Sequence, residues 1–288
     1  MDVIENIKQY RKEVLNYLKQ TNNHYNTIEI NLKVGDKNVK YHRWLHPYQG
    51  DWELEALFNL KELNNISKLI KPNSVVLDIG AQTGNMAVAY SLFAKNVIAF
   101  EPNPATYEVL EKNSTLNSIT PYNFAISVEE GECEFHYSDP GLCNGGYASI
   151  LDKGIGVTGH SLPLDVYMVN VVDFIKKYHS NDFNNISFIK IHAEGHDKEI
   201  IPTLKEIIDT NKPIIQTEIY DGLTSTEIDQ LISNINDLGY RAYDMDICNN
   251  DIDNLQAEVK SHKDINPGSG HNLICLVLSL KYFILYLA

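Results

Sequence analysis

No Cys-x-x-Cys pair occurs in this 288-residue sequence, whose four cysteines (Cys133, Cys143, Cys248 and Cys275) are widely scattered. That scatter argues against a disulfide framework or a zinc site, and reduced thiols are expected. Positive charge is scarce too. The 24 Lys and Arg stand against 38 Asp and Glu, a formal net charge of −14. Such a balance repels polyphosphate, and no Lys/Arg run stands out, so nucleic acid is not the favoured partner. The opening residues Met1–Asn6 lack the basic segment and apolar core of a secretion signal, so a cytoplasmic location is expected. A bilayer-length apolar run is missing as well. The carboxyl-terminal stretch Asn272–Ala288 is apolar, but Lys281 interrupts it, and it falls short of the roughly 20 residues a span needs. A buried terminal strand with a short tail is expected there.

What is present suits a globular α/β protein, with 43% apolar and 22% charged residues. Ile4, Ile7, Val14 and Leu18 recur at helical spacing, which predicts an amphipathic helix over residues 3–18. Residues 27–34 and 39–44 alternate with period two around Gly35-Asp36-Lys37, the pattern of a β-hairpin. Residues 1–48 therefore form an extension ahead of a core domain at 49–288, expected to pack over its ligand edge. Within the core a helix is predicted from about Glu53 to Leu69. Strands follow near 74–79, 96–101, 121–126, 186–192, 213–219, 239–246 and 271–279, with helices near 84–94, 104–117, 197–210 and 225–237. This alternation predicts a doubly wound, mostly parallel seven-stranded sheet with ligands at the carboxyl ends of its strands. Residues 128–175 break the rhythm with a hairpin near Cys133–Tyr137 and a Gly-rich loop, a segment placed to shape the substrate site.

The first β-α turn reads Leu77-Asp78-Ile79-Gly80-Ala81-Gln82-Thr83-Gly84, and the next strand ends in Phe100-Glu101-Pro102-Asn103. A dinucleotide turn needs Gly-x-Gly-x-x-Gly for close approach of a pyrophosphate, whereas the spacing here is Gly80-x-x-x-Gly84. A P-loop is excluded because no Gly-Lys-Ser/Thr follows. The turn suits a ligand that carries an amino acid in place of pyrophosphate, with Glu101 positioned for two ribose hydroxyls. Those demands describe S-adenosylmethionine.

These segments, together with Glu101-Pro102-Asn103-Pro104 and Lys190-Ile191-His192-Ala193-Glu194-Gly195, resemble the FkbM family of S-adenosylmethionine-dependent methyltransferases over roughly residues 50–220. The resemblance implies a Rossmann-like class I methyltransferase fold. It also implies O-methylation of a hydroxyl on a sugar, nucleotide sugar, glycan or polyketide-type product. It puts Asp78, Gly80, Ala81 and Gly84 around the methionine part of the cofactor and Glu101 and Asn103 at its ribose and adenine side. Ala125 and Ile126 would lie along the adenine, and Trp52 and Glu53 belong to a short aromatic-acid signature ahead of the first strand.

The family usually reads Lys-Ile-Asp-Val-Glu-Gly at the fourth strand, and here the strand-tip acid is His192. An alcohol is a weak nucleophile, so a base at that tip aids transfer, and an imidazole with an ordinary pKa of roughly 6.5 suits it. His192 is the expected general base, with Glu194 orienting it or the substrate and Glu218 contacting the acceptor. His46, Trp52 and Tyr147 are candidates to line a sugar pocket. A Mg²⁺-type ion held by some of His192, Glu194, His196, Asp197, Glu218 and Asp221 is open to the sequence but not favoured, because a histidine replaces the carboxylate most needed. Two further readings stand beside the main one. A ribose 2′-O-methyltransferase for RNA arranges Lys, Asp, Lys and Glu at its strand tips, of which only Lys190 and Glu218 have counterparts here. A non-catalytic cofactor-fold protein would account for the loss of the acid at 192.

Overall fold

The computed structural model describes residues 27–44, 58–138, 161–245, 251–255, 257–265 and 271–277. The helix expected over 3–18, Trp52 and Glu53, His46 and Tyr147, Cys143 and Cys248 lie outside the described residues. Cys133 and Cys275 are free thiols.

The hairpin forms as expected, from β1 (Thr27–Val34) and β2 (Lys37–Trp44), paired antiparallel from Thr27↔Trp44 to Val34↔Lys37. Gly35 occupies the first central position of its two-residue turn at φ 59, the backbone such a primed turn requires. Val39, Tyr41 and Trp44 are buried, at 0%, 2% and 2% exposure. Burying each large side chain of this kind contributes roughly 1.5–3 kcal/mol, so the hairpin is held by apolar contact with the core. One polar link reaches further. Asn113 accepts from the His42 amide at 2.6 Å and donates to the Thr83 carbonyl at 2.8 Å, tying the hairpin to the glycine turn.

After α1 (Leu60–Leu69), whose Asn59 cap accepts from the Glu62 amide, the chain enters an alternating core. It runs β3 (Val75–Ile79), α2 (Asn85–Ser91), β4 (Asn96–Phe100), α3 (Pro104–Ser114) and β5 (Ile119–Tyr122). A small sheet holds β6 (Ala125–Ile126), β7 (Gly131–Ser138) and β8 (Ser161–Val169), followed by α4 (Val171–Tyr178). The core resumes with β9 (Ile186–Ile191), α5 (Asp197–Thr203), α6 (Lys205–Asn211), β10 (Ile214–Ile219), α7 (Ser225–Asp237) and β11 (Tyr240–Asp244). Two strands end it, β12 (Glu258–Val259) and β13 (His271–Val277). The large sheet has the order β12-β11-β13-β10-β9-β3-β4-β5, parallel from β5 to β10, with β13 inserted antiparallel. It is thus the expected α/β Rossmann-like sheet with one addition, the two-residue edge strand β12, which makes eight strands where seven are expected.

The pleat sorts the core. Val75, Leu77 and Ile79 enter one apolar cluster, as do Ile98 and Phe100, while Val76, Val97, Ala99 and Phe188 enter the other on the opposite face. Helices cover both faces, which is why the strands read as continuous apolar runs.

Three expectations are corrected. The third strand does not run over 121–126. It stops at Tyr122, where the Asn123 side chain donates to the carbonyls of Glu101 and Pro102, and Ala125–Ile126 leaves to pair with β8. The segment near Cys133–Tyr137 is not a hairpin by itself but pairs antiparallel with 161–169. The helix expected over 197–210 divides into α5 and α6. Pro202 cannot donate to the Lys198 carbonyl and its ring crowds that group. The carbonyl instead accepts from Asn234 Nδ2 at 2.8 Å.

Candidate active site

Register creates the first half of the site. Asp78 of β3 lies opposite Lys190 of β9, and both side chains leave on the face of Val76 and Phe188. Both are buried, at 0% and 4% exposure. Lys190 Nζ lies 3.1 Å from Asp78 Oδ1 and donates to the Gly80 carbonyl at 2.6 Å. Neither Asp78 oxygen receives a well-aligned hydrogen bond, so the attraction is mainly Coulombic. Burial raises the Asp78 pKa, and the Lys190 charge holds it down.

The glycines answer to the protein's own packing. Gly80 has φ 72, and a Cβ there would lie 1.9 Å from the His192 carbonyl oxygen. Gly84, at φ 85, would strike Leu110 Cδ1 at 2.6 Å. The turn also spends its amides internally. Gly80 and Ala81 donate to the Phe100 carbonyl, Gly84 to the Ala81 carbonyl, and Gln82 to Glu101 Oε2 at 2.8 Å. A pyrophosphate would find none of these donors free, in keeping with the Gly-x-x-x-Gly spacing.

Glu101, at the tip of β4, is buried and ordered. Its Oε1 accepts from the Asn103 amide and Thr106 Oγ1 at 2.9 and 3.0 Å, while among the described residues Oε2 accepts only from the Gln82 amide. Oε2 therefore keeps a lone pair for a hydroxyl donor. Burial pushes the Glu101 pKa up to about 7, against these three hydrogen bonds. Asn103 is also the cap of α3, accepting from the Ala105 amide at 3.0 Å. Ala125 is buried against Phe135 and Val166, and Ile126 in the main core.

The second half lies at the tips of β9, β10 and β13. The His192 amide donates to the Ile79 carbonyl, which fixes the residue beside the glycine turn. Its Nε2 is hydrogen-bonded to Asn272 Oδ1 at 2.9 Å, and Nδ1 lies 3.8 Å from Glu218 Oε2, too far for a hydrogen bond. The two side chains keep 29% and 20% of their surface exposed, so a ligand can reach them. Burial, then the Lys190 charge, lowers the His192 pKa well below the usual imidazole range, opposed by the Asn272 hydrogen bond. The Glu218 pKa is pushed up to about 8 by burial and by Asp197. Near neutral pH the two therefore face each other as neutral groups and form no ion pair.

Glu194 takes φ 51, a strained backbone for a residue with a Cβ, and its amide donates to Glu218 Oε1 at 3.2 Å. Burial and the facing Glu218 push its pKa well up. Asp197 is a clasp beneath this turn, accepting from the Ala193 amide and from Thr217 Oγ1 at 3.0 and 2.7 Å. His196 turns the other way, to Ser127 Oγ at 3.0 Å. His196 thus points away from the other candidate metal ligands, and among the described residues no group of three or more His, Cys, Asp or Glu is arranged to hold an ion. Sequence reasoning missed three features: the Asp78–Lys190 pair, the Asp197 clasp and Asn272. The one signal for Asn272 was a polar His271-Asn272 pair opening an apolar terminal strand.

Against this geometry, the sequence profile of the methyltransferase FkbM domain matches residues 78–242, from the acid of the glycine turn into β11. The chain belongs to the FkbM methyltransferase family. As a member it is an S-adenosylmethionine-dependent methyltransferase. Among curated relatives, it is 23% identical over 190 residues to the hexuronic acid methyltransferase AglP of Haloferax volcanii, covering 62% of this chain and 73% of that protein. A shorter match of 76 residues, 33% identical, is to the ribosomal RNA large subunit methyltransferase E of Cupriavidus taiwanensis, covering 23% of this chain and 33% of that one. The crystal structure of a methyltransferase FkbM from Methylobacillus flagellatus shares 14% identity over 58% of this chain and 43% of that one. Its TM-score is 0.35, too low to carry any argument. Among the described residues no helix is long and apolar enough to cross a membrane.

Proposed function

We propose that this FkbM-family chain methylates a hydroxyl of a sugar, nucleotide sugar or glycan, with His192 as the general base. The observation that carries the proposal is the placement of His192, a partly exposed imidazole at the strand tip whose Nδ1 makes no hydrogen bond among the described residues; its lowered pKa favours the neutral form. S-adenosylmethionine supplies an electrophilic methyl group on a sulfonium, so the protein's task is to position the acceptor and take its proton. His192 Nδ1 would take that proton as the acceptor oxygen replaces the sulfonium sulfur on the methyl carbon, the thioether leaving with the electron pair of the broken C–S bond, and Glu218, its pKa raised, would hydrogen-bond a second oxygen of the acceptor. Glu194 fixes the position of Glu218 through its amide.

The residues fit the cofactor. The free lone pair of Glu101 Oε2 suits a ribose hydroxyl, and the internally engaged amides of Gly80, Ala81, Gln82 and Gly84 leave the turn poorly suited to a pyrophosphate. Asp78, Gly80, Ala81 and Gly84 hold the methionine side in this reading, partly through the buried ion pair that fixes the turn. Asn103, Ala125 and Ile126 border the adenosine in the same reading, and the family resemblance assigns Trp52 and Glu53 to the cofactor as well. Similarity to a hexuronic acid methyltransferase supports a carbohydrate acceptor. A cytoplasmic location belongs to the same proposal.

Transfer of a labelled methyl group from S-adenosylmethionine to a panel of nucleotide sugars, uronates and capped RNA tests it. Labelling of a sugar hydroxyl is the expected outcome. Labelling of RNA alone would replace this reading with the 2′-O-methyltransferase one, and cofactor binding without transfer to any acceptor would favour a binding protein.

A further inference from the structure

β13 runs antiparallel between β10 and β11, and its first residues reach the same edge of the sheet as the tips of β9 and β10. Asn272 stands directly opposite Glu218 in the β10–β13 ladder, and Thr217 stands opposite Ile191 in the β9–β10 ladder. His192, Glu218 and Asn272 therefore form a row across three strands, and the Asn272 amide spans the middle strand to meet the imidazole at 2.9 Å. The row is held rigidly. The Asn272 carbonyl accepts from the Met245 amide at 2.8 Å, and the adjacent His271 Nδ1 is hydrogen-bonded to Asp244 Oδ2 at 2.8 Å.

We infer that Asn272 is a positioning residue that holds His192 as the Nε2–H tautomer and so presents the Nδ1 lone pair to the acceptor. The inference rests on the reading of His192 as the base and extends it to a residue outside the segment matched by the family profile. The chemistry is restrictive. An amide oxygen only accepts, so a neutral imidazole facing it must carry its proton on Nε2 and its lone pair on Nδ1. Without the amide the proton is free to occupy either nitrogen, and the ring can rotate. The charged and titratable groups around the imidazole are Lys190 on its own strand, Glu218 from β10 and Glu194 on the following turn. Asp78 of β3 faces it only through Lys190. Asn272 is the uncharged partner among them, so it orients the ring without making it a strong acid or a cation.

Two measurements on the full chain test this. In the first, nitrogen-15 NMR of histidine-labelled protein without cofactor reads the tautomer directly. The expected result is a neutral His192 protonated at Nε2 near pH 7, and a mixture of tautomers in Asn272→Ala. A wild-type His192 protonated at Nδ1 would overturn the inference without any mutant having to fold. In the second, the pH dependence of kcat is compared across variants. Asn272→Ala should lower kcat by up to roughly a hundredfold through misorientation and move the acid limb to lower pH. Asn272→Asp, which adds an anionic acceptor to the ring, should move that limb up by about one pH unit or more. Acid limbs that stay put in both variants would reduce Asn272 to a structural residue. His192→Ala separates the two levels: a variant with undiminished turnover overturns the base reading itself, whereas a severe loss with unmoved Asn272 limbs overturns only the positioning role.

Discussion

The two halves of the site differ in how far they are closed to a ligand. At the tips of β3 and β4 the charged side chains Asp78, Lys190 and Glu101 are buried, and the turn amides of Gly80, Ala81, Gln82 and Gly84 are engaged with carbonyls and Glu101. At the tips of β9, β10 and β13 the groups are under tension. Glu194 and Glu218 are raised in pKa, as Asp78 and Glu101 are, but here an imidazole is lowered beside them and the side chains of His192 and Glu218 stay partly exposed. The first half is finished as a buried receptacle, while the second leaves its titrating side chains open to a ligand. Perturbed titration of this kind concentrates where protons must move.

The largest stability effect should come from unbalancing the finished half. Lys190→Met leaves Asp78 buried without its cation and should lower unfolding stability by about 3–5 kcal/mol in urea titration. Adding Asp78→Asn should recover most of that loss, because replacing both members of a buried pair is often nearly neutral. A single variant as stable as the wild type would mean the pair does not hold the turn. Next in size, Glu101→Ala should weaken cofactor binding by about tenfold to a hundredfold in calorimetry, the effect of losing hydrogen bonds to a charged group of about 1.5–3 kcal/mol. Affinity within twofold of the wild type would remove Glu101 from the ribose site.

Smallest within any one pH unit is the effect in the tense half. The Glu218 pKa rises from 4.5 to about 8 on folding. Between those values the unfolded chain has released a proton that the folded chain keeps. Stability should therefore fall as pH rises across that window, by at most about 1.4 kcal/mol per pH unit from this group. Glu218→Gln should flatten that decline in thermal melts, and an unchanged slope would show that Glu218 titrates normally.

Legibility in the sequence follows the same division. The βαβ core, the hairpin and the glycine turn were readable because each rests on local pattern: period-two alternation, an apolar run ending in Asp78, a turn needing positive φ at Gly80 and Gly84. The sequence misjudged places where a side chain competes with the backbone, as when Asn123 ends a strand or Pro202 divides a helix. It also missed pairings set by register between strands distant in the chain. Asp78 meets Lys190, and His192 meets Asn272, only because the sheet inserts β9 beside β3 and β13 beside β10. Nothing local to His192 announces a partner 80 residues away.

The claim that the tense half performs the proton transfer is tested most directly by single-turnover methyl transfer in His192→Ala, with cofactor and a sugar acceptor saturating. A general base contributes roughly 10²–10⁴-fold. The account predicts a loss of that size in the rate of transfer with cofactor affinity unchanged, and a transfer rate equal to the wild type would contradict it.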